Sequence, residues 1–116
     1  MRQNTPPSRG EIWVVELHSV RAGDARAVWR ALVISVNELN HGAAGIATVL
    51  PVSDVDQRIA THVKVPAGEA MLAKDGFVRC EEPRSVSIER LTKRVGAVKA
   101  GTLAAVMRNV GVLLGV

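Results

Sequence analysis

The grouping of the apolar residues most constrains the fold of this chain. Most of them fall into short runs rich in Val, Ile and Leu, bounded by Gly, Pro or polar residues, and such runs predict β-strands. Near the C-terminus the spacing changes to three- and four-residue steps, which predicts an amphipathic helix. The residues of that apolar stripe are Leu103, Val106, Met107, Val110, Leu113 and Leu114. Short strands followed by one terminal helix predict a small, mainly β, partly open barrel.

The predicted elements have approximate bounds along the chain. Strands are expected over 10–17, 31–36, 46–52, 59–65 and 76–82, with a short strand or connector over 95–98. Residues 37–40 are expected to form a turn or one helical turn, and Ser87 to cap another turn that ends at Leu91. The segment 18–29 has no clear period, so we expect a long loop there. Long loops in compact domains often carry function.

The length of 116 residues predicts one domain. We place it over residues 10–116, after a flexible arm of residues 1–9 that is polar and contains Pro6 and Pro7. Aromatic residues make up only 3%, so the core must be aliphatic. The chain start lacks the apolar stretch of a signal peptide, and no apolar run approaches the ~20 residues that span a bilayer. We therefore expect no membrane segment.

Charge and ligand side chains limit the kinds of site that the chain can hold. Its 15 Lys and Arg against 11 Asp and Glu give a net charge of +4, which permits a polyanionic partner. The single cysteine, Cys80, excludes an intrachain disulfide and a Cys-rich zinc site, and a lone thiol fits a reducing cytoplasm. His18, His41 and His62 are scattered without ligand spacing. We therefore predict neither a metal site nor a cofactor.

Arginine and hydroxyl side chains beside the predicted strands are the remaining candidates for chemistry. Arg30 precedes the second strand, and Ser53 follows the third. A guanidinium can bind a phosphate through two parallel hydrogen bonds, and a hydroxyl can bind a phosphate oxygen. Taken singly, an arginine is more often a surface charge, and a serine here is more often a turn residue. The residue types alone leave this choice open.

Several short segments, in this order and at compatible spacing, resemble the MazF/PemK family of toxins from bacterial toxin–antitoxin pairs. They are Arg9-Gly10-Glu11-Ile12-Trp13, Arg30-Ala31-Leu32-Val33-Ile34-Ser35, Pro51-Val52-Ser53-Asp54 and Cys80-Glu81-Glu82-Pro83-Arg84-Ser85-Val86. They are similar to the family segments RGEIW, RPVLVIS, PLTS and CDQIRTL. Each segment alone is weak, but the ordered set, which spans about residues 9–115, is specific.

The resemblance implies a fold, an activity and partners. The fold is an SH3-like barrel with a C-terminal helix, usually a homodimer. The activity is metal-independent, sequence-specific cleavage of single-stranded RNA, which stops translation when mRNA is cut. The partner is an antitoxin whose acidic C-terminal segment blocks the site. Such a toxin acts in the bacterial cytoplasm and needs no cofactor.

The implied chemistry needs few catalytic side chains, because RNA carries its own nucleophile. The substrate 2′-hydroxyl attacks the adjacent phosphate and leaves a 2′,3′-cyclic phosphate and a 5′-hydroxyl. The family's catalytic arginine and threonine correspond to Arg30 and Ser53. We predict that Arg30 clamps the phosphate and that Ser53 binds a phosphate oxygen or orients the 2′-hydroxyl.

Further side chains are predicted to contact RNA by charge or stacking. The first loop should border the RNA groove, so its cations and its tryptophan are candidates for phosphate contact and base stacking. For Trp29, packing in the core is as good an interpretation as base stacking. The predicted RNA-binding residues are Arg21, Arg26, Trp29, Lys64 and Arg84.

Departures from the family pattern keep other functions open. Ser53 stands for threonine, Ala31 for proline, and Asp54 and Glu82 add negative charge where phosphate would pass. One alternative is therefore a catalytically weakened relative that still binds RNA or an antitoxin. The other is a non-catalytic toxin like the CcdB toxins, which share the fold and bind DNA gyrase through the terminal helix. A gyrase-binding protein would not need Arg30 or Ser53.

Overall fold

The computed structural model describes residues 5–17 and 27–116 of the chain. The strands in this part are β1 (Glu11–Leu17), β2 (Ala27–Val33), β3 (Ile46–Ser53), β4 (Val63–Val65), β5 (Gly76–Val78), β6 (Arg84–Ser87) and β7 (Leu91–Ala97). The helices are α1 (Asn37–Asn40) and α2 (Ala100–Leu114), and 3-10 turns cover Glu69–Met71 and Ile88–Arg90.

All strands join one antiparallel sheet in the order β4-β5-β3-β2-β1-β7. Strand β3 has two partners on the side away from β2. Its first residues pair with β6, and its last residues, Val52 and Ser53, pair with β5. One strand that serves two partners along the same edge makes the sheet curl. This confirms the predicted mainly β fold, an SH3-like, partly open barrel with a C-terminal helix.

The two faces of the sheet are both packed, because successive side chains of a strand alternate between them. On β2, Leu32 joins a cluster that also contains Val106 and Val110 of α2. Its neighbours Ala31 and Val33 join a second cluster on the other face. The largest side chain of that second cluster is Trp13, which is 2% exposed.

Strand β2 begins at Ala27, earlier than the predicted start at Ala31. The extra residues pair with β1, in a register that runs from Ile12 opposite Leu32 to Leu17 opposite Ala27. Trp29 therefore lies within a strand and not in the predicted loop over 18–29, and Arg30 lies inside the strand that it was predicted to precede. The sequence misses this start because the first residues of β2 are exposed or half-buried and carry no apolar alternation.

Other predicted bounds also differ from those in the structure. The strand predicted over 59–65 is confined to Val63–Val65, because a backbone hydrogen bond from His62 to Ile59 closes a turn before it. The connector predicted over 95–98 is part of the longer β7, which pairs with β1. The predicted cap is present, since the Ser87 hydroxyl accepts a hydrogen bond from the backbone N–H of Glu89.

The apolar stripe of the terminal helix is buried only over its first part. Val106 and Val110 lie in the core, and Met107 packs against it. Leu113 and Leu114 are 42% and 62% exposed, so the stripe overestimates the buried face. None of the helices in the described ranges is long and apolar enough to cross a membrane.

Residues 7–9 are attached to the domain, although the predicted flexible arm includes them. Pro7 is fully buried. The backbone N–H of Arg9 donates to the Asn37 side chain at 2.8 Å, and the Arg9 Nε donates to the carbonyl of Ile34 at 2.9 Å. A flexible arm would therefore have to end before Pro7.

Candidate active site

The start of β2 lies beside the end of β3, because the two strands are antiparallel. Arg30 is opposite Val52 in this pairing, and Ser53 is the last residue of β3. The same register places Lys93, Val14, Arg30 and Val52 in one row across β7, β1, β2 and β3. Since neighbouring strands lie about 4.8 Å apart, the backbones of Arg30 and Lys93 are about 10 Å apart across that row.

Two cavities open at this end of the sheet. The larger, of about 550 Å³, is lined by Val14, Val28, Trp29, Arg30, Val52, Ser53, Asp54, Met71, Lys93, Arg94 and Val95. The smaller, of about 250 Å³, is lined by Trp29, Arg30, Pro51, Val52, Ser53, Arg79 and Arg84. Arg30 and Ser53 belong to both walls, so these two predicted catalytic residues are brought together by the fold.

Arg30 and Ser53 approach the cavities from different faces of the sheet. Strand alternation puts Arg30 on the same side as Leu32, whereas Ser53 follows Val49 on the other side. Both reach the cavities because Ser53 is the last residue of β3 and Arg30 is the first residue of β2 that pairs with β3. A phosphate that touches both side chains would therefore have to lie at the end of β3 rather than over either face.

Arg30 is half-buried, and its charge is available to an anion. No hydrogen bond or ion pair joins it to another residue in the part of the chain that the structure describes. A guanidinium stays positively charged at physiological pH, so Arg30 can bind an anionic phosphate oxygen but is a poor proton donor. This favours the clamp role predicted from the sequence.

The Ser53 hydroxyl is held by the turn that follows β3. Its Oγ accepts a hydrogen bond from the backbone N–H of Val55 at 3.0 Å. The hydroxyl also donates to the Val55 carbonyl oxygen at 3.5 Å. This second bond is long, so the hydroxyl can leave it and turn its proton toward a ligand, while the N–H of Val55 holds the oxygen. Ser53 can therefore serve both as a turn residue and as a functional residue.

Glu82 holds two arginines at the smaller cavity. Its Oε2 lies 3.2 Å from Arg79 Nη1, and its Oε1 lies 3.1 Å from Arg84 Nη2. The guanidinium of Arg84 also lies 5.2 Å from the centre of the Trp29 ring, which is a cation–π distance. The negative charge of Glu82, which the sequence analysis expects to repel phosphate, is thus paired with two cations.

Of the other predicted RNA-binding residues, the structure describes only Lys64. Lys64 lies in one row with Phe77 and Ser53, two strands from Ser53, and its ammonium is 3.5 Å from the Asp75 carboxylate. It lines neither cavity. Arg21 and Arg26 fall outside the described residues.

Sequence reasoning missed three residues of the larger cavity, Met71, Lys93 and Arg94. Lys93 and Arg94 reach it because β7 pairs with β1, which no local pattern shows. Arg94 donates to Glu11 at 2.7 Å. Although partial burial opposes it, hydrogen bonds from Arg94, Trp13 and Ser8 hold the pKa of the Glu11 carboxyl below its ordinary value.

Cys80 and His62 lie apart from the cavities. Burial, together with the nearby Glu81 carboxylate, raises the pKa of the Cys80 thiol to about 11, so the thiolate nucleophile is not available at neutral pH. His62 lies 3.0 Å from the Glu81 carboxylate. Across residues 5–17 and 27–116, no three His, Cys, Asp or Glu side chains are grouped to hold a metal ion.

Comparisons with known proteins identify the family of the chain. A family model described as a PemK-like, MazF-like toxin of a type II toxin–antitoxin system matches residues 8–114. Endoribonuclease MazF9 of Mycobacterium tuberculosis is 35% identical over 101 residues, which cover 83% of this chain and 86% of that protein.

Solved structures show the same fold. A MazE–MazF structure from Deinococcus radiodurans superposes with a TM-score of 0.82 at 24% identity and covers 94% of this chain and 96% of that one. An endoribonuclease in complex with its cognate antitoxin, from a mycobacterial species, gives a TM-score of 0.76 at 17% identity over 95% and 96% of the two chains. The family match over residues 8–114 and the 35% identity show that this chain belongs to the PemK-like, MazF-like toxins of type II toxin–antitoxin systems.

Proposed function

We propose that this protein is the endoribonuclease toxin of a type II toxin–antitoxin system and that it cleaves single-stranded RNA without a metal ion. The observation that carries the proposal is that Arg30 and Ser53 share the walls of both cavities. The endoribonuclease activity named for the Mycobacterium tuberculosis relative supports it.

The reaction uses the nucleophile of the substrate. The 2′-oxygen forms a bond to the adjacent phosphorus, and the bond from phosphorus to the 5′-oxygen breaks. The 2′-hydroxyl loses its proton to solvent, and the leaving 5′-oxygen takes one up. The products are a 2′,3′-cyclic phosphate and a 5′-hydroxyl.

Arg30 stabilises the charge that grows on the phosphate oxygens during this attack. Its guanidinium can give two parallel hydrogen bonds and keeps its positive charge throughout. Ser53 donates its hydroxyl proton to a phosphate oxygen or to the 2′-oxygen and so aligns the attack. The hydrogen bond from Val55 to the Ser53 Oγ holds the oxygen in place for this task.

The surrounding side chains give the RNA a path at both cavities. At the smaller one, Trp29 offers a stacking surface and Arg84 a cation. At the larger one, Lys93 adds a cation from β7, two strands away from Arg30. Lys64, Arg21 and Arg26 stay predictions for RNA contact.

Cleavage of mRNA by this site would stop translation in the bacterial cytoplasm. An antitoxin with an acidic C-terminal segment would compete with RNA for the cations of the same cavities, and the protein would act as a homodimer. The solved complexes of MazE with MazF support such a partner.

The test is cleavage of a long single-stranded RNA by the purified protein in EDTA. We expect cuts in the presence of wild-type protein, and a loss of at least about 10²-fold for Arg30→Ala. Arg108→Ala is the matched control, because Arg108 is an exposed arginine of α2 that lines neither cavity. Absence of cleavage by the wild type, or equal rates for wild type and Arg30→Ala, would contradict the proposal.

A further inference from the structure

The turn before β5 holds two consecutive non-glycine residues in the left-handed region of the backbone. Ala70 has φ of 54° and Met71 has φ of 62°. This conformation is uncommon for residues that carry a Cβ, and it persists only where the surrounding structure enforces it. Such strain is concentrated at functional sites, so the turn calls for an explanation.

Two neighbouring elements enforce the strained turn. The Ala70 backbone lies so close to β7 that a Cβ on Gly96 would be 2.3 Å from the Ala70 carbonyl oxygen. The Glu69 carboxylate accepts hydrogen bonds from the backbone N–H of Lys99 at 2.9 Å and from the Thr102 hydroxyl at 2.7 Å. The turn is therefore fixed to both β7 and the start of α2.

The consequence of the strain is the position of the Met71 side chain. Ala70 and Leu72 are 7% and 4% exposed and belong to the core, whereas Met71 between them is 78% exposed. Met71 lines the larger cavity together with Arg30 and Ser53. An apolar side chain is thus held in the wall of the candidate active site.

The chemistry of the larger cavity fits a nucleotide. Four valines, Val14, Val28, Val52 and Val95, provide apolar wall beside Met71. Arg30, Lys93 and Arg94 add positive charge at the same wall, against the one negative charge of Asp54. A base of single-stranded RNA has a flat apolar face and is linked to phosphates, which matches this mixture. A methionine thioether makes favourable contacts with such ring faces.

We propose that Met71 is a specificity-determining residue that contacts the face of one nucleobase next to the cleaved phosphate. The inference rests on the proposed function, because it needs an RNA strand in the larger cavity. Met71 makes the cleavage depend on which base occupies that one position. It takes no part in bond breaking.

The variants Met71→Gly and Met71→Leu test this role. Glycine adopts a positive φ freely, so Met71→Gly removes the side chain without straining the turn. Met71→Leu keeps the apolar bulk. Val112→Ala is the matched control, since Val112 is an exposed apolar residue of α2 that lines neither cavity. Circular dichroism and thermal unfolding establish that each variant is folded.

The readout is the base frequency at each position around the cut in a randomised single-stranded RNA pool, sequenced after cleavage in EDTA. A second pool of 2′-fluoro oligonucleotides, which lack the attacking hydroxyl, reports bases selected by binding alone. We expect Met71→Gly to lower the preference at one position next to the cut by at least about threefold. All other positions should keep their preferences, and Met71→Leu and Val112→Ala should match the wild type.

The outcomes separate this proposal from the proposed function. Unchanged base frequencies for Met71→Gly, or an equal loss of preference at every position, would overturn the role of Met71. If the wild type binds the pool but does not cut RNA, the proposed function fails while the bound bases still decide the role of Met71. If the wild type neither binds nor cuts, both proposals fail.

Discussion

Arg30 lies directly opposite Val52 in the antiparallel pairing of β2 with β3. This relationship places Arg30 beside the end of β3, where Ser53 lies. Because strand side chains alternate, a slip of one residue in the register would turn Arg30 to the other face of the sheet. The buried pair of Leu32 with Leu50 prevents such a slip, so core packing also positions the candidate site.

The Ser53 hydroxyl is expected to contribute to the rate of cleavage. Ser53→Ala should lower kcat about 10- to 100-fold, because it removes the group that aligns the 2′-hydroxyl or binds the phosphate. Ser53→Thr should cleave at least as fast as the wild type, since the hydroxyl is kept and the branched side chain is stiffer. Single-turnover cleavage in EDTA measures both. A Ser53→Ala rate equal to that of the wild type would remove Ser53 from the mechanism.

Glu82 is expected to weaken RNA binding by neutralising Arg79 and Arg84. Glu82→Gln should bind RNA more tightly at low salt and show a steeper salt dependence. The slope of log K against log salt should change by about 0.7 for each phosphate newly contacted. Glu38→Gln on α1 is the control for a general change in charge. Weaker binding by Glu82→Gln would show instead that Glu82 is needed to orient the arginines.

Gly96 is expected to be essential for the contact between β7 and the strained turn. The side chain of Gly96→Ala would meet the Ala70 carbonyl oxygen, and we expect a loss of about 2–3 kcal/mol in the free energy of unfolding. Gly101→Ala is the matched control, because nothing lies within 4 Å of its new Cβ. Since alanine favours a helix, this control should be neutral or stabilising by up to about 1 kcal/mol. Urea unfolding measures both, and equal stabilities would contradict the close approach.

The anchor at Glu69 predicts a pH-dependent stability. Partial burial disfavours the carboxylate, but hydrogen bonds from Thr102 and the backbone of Lys99 lower the pKa of Glu69 below its ordinary value of 4.5. A lowered pKa stabilises the fold above pH 4.5, and this contribution is lost as the pH falls through the folded-state pKa.

The variant Glu69→Gln tests this dependence. At neutral pH it should be less stable than the wild type by about 1–2 kcal/mol, because a charged acceptor is lost. The difference should shrink as the pH is lowered through the folded-state pKa of Glu69, because both side chains are neutral below it. Urea unfolding across this range measures the difference. A difference that does not change with pH would exclude the carboxylate as its cause.

The sequence predicts those elements whose apolar runs are bounded by Gly, Pro or polar residues. The strand expected over 46–52 is β3, and the turn capped by Ser87 is present. The start of β2 at Ala27 is not predictable from local pattern, because its first residues are exposed and only pairing with β1 makes them a strand.

The candidate site is likewise predictable from the sequence only in part. The sequence predicts Arg30 and Ser53 because they lie in segments that resemble the family, and the fold brings them to the same cavities. It does not predict Met71, since a positive φ is expected of glycine, and a methionine in a short loop gives no sign of it. The pairing of Glu82 with two arginines is also absent from the sequence, because it depends on side-chain placement around the smaller cavity.

The proposed mechanism makes the RNA 2′-hydroxyl the nucleophile in the site of Arg30 and Ser53. The most direct measurement uses one RNA that the wild-type protein cuts in EDTA, and the same RNA with a single 2′-deoxyribose on the 5′ side of the cut. We predict cleavage of the first to a 2′,3′-cyclic phosphate and a 5′-hydroxyl, and no cleavage of the second at that position. Equal cleavage of both, or a 5′-phosphate end, would contradict attack by the 2′-hydroxyl.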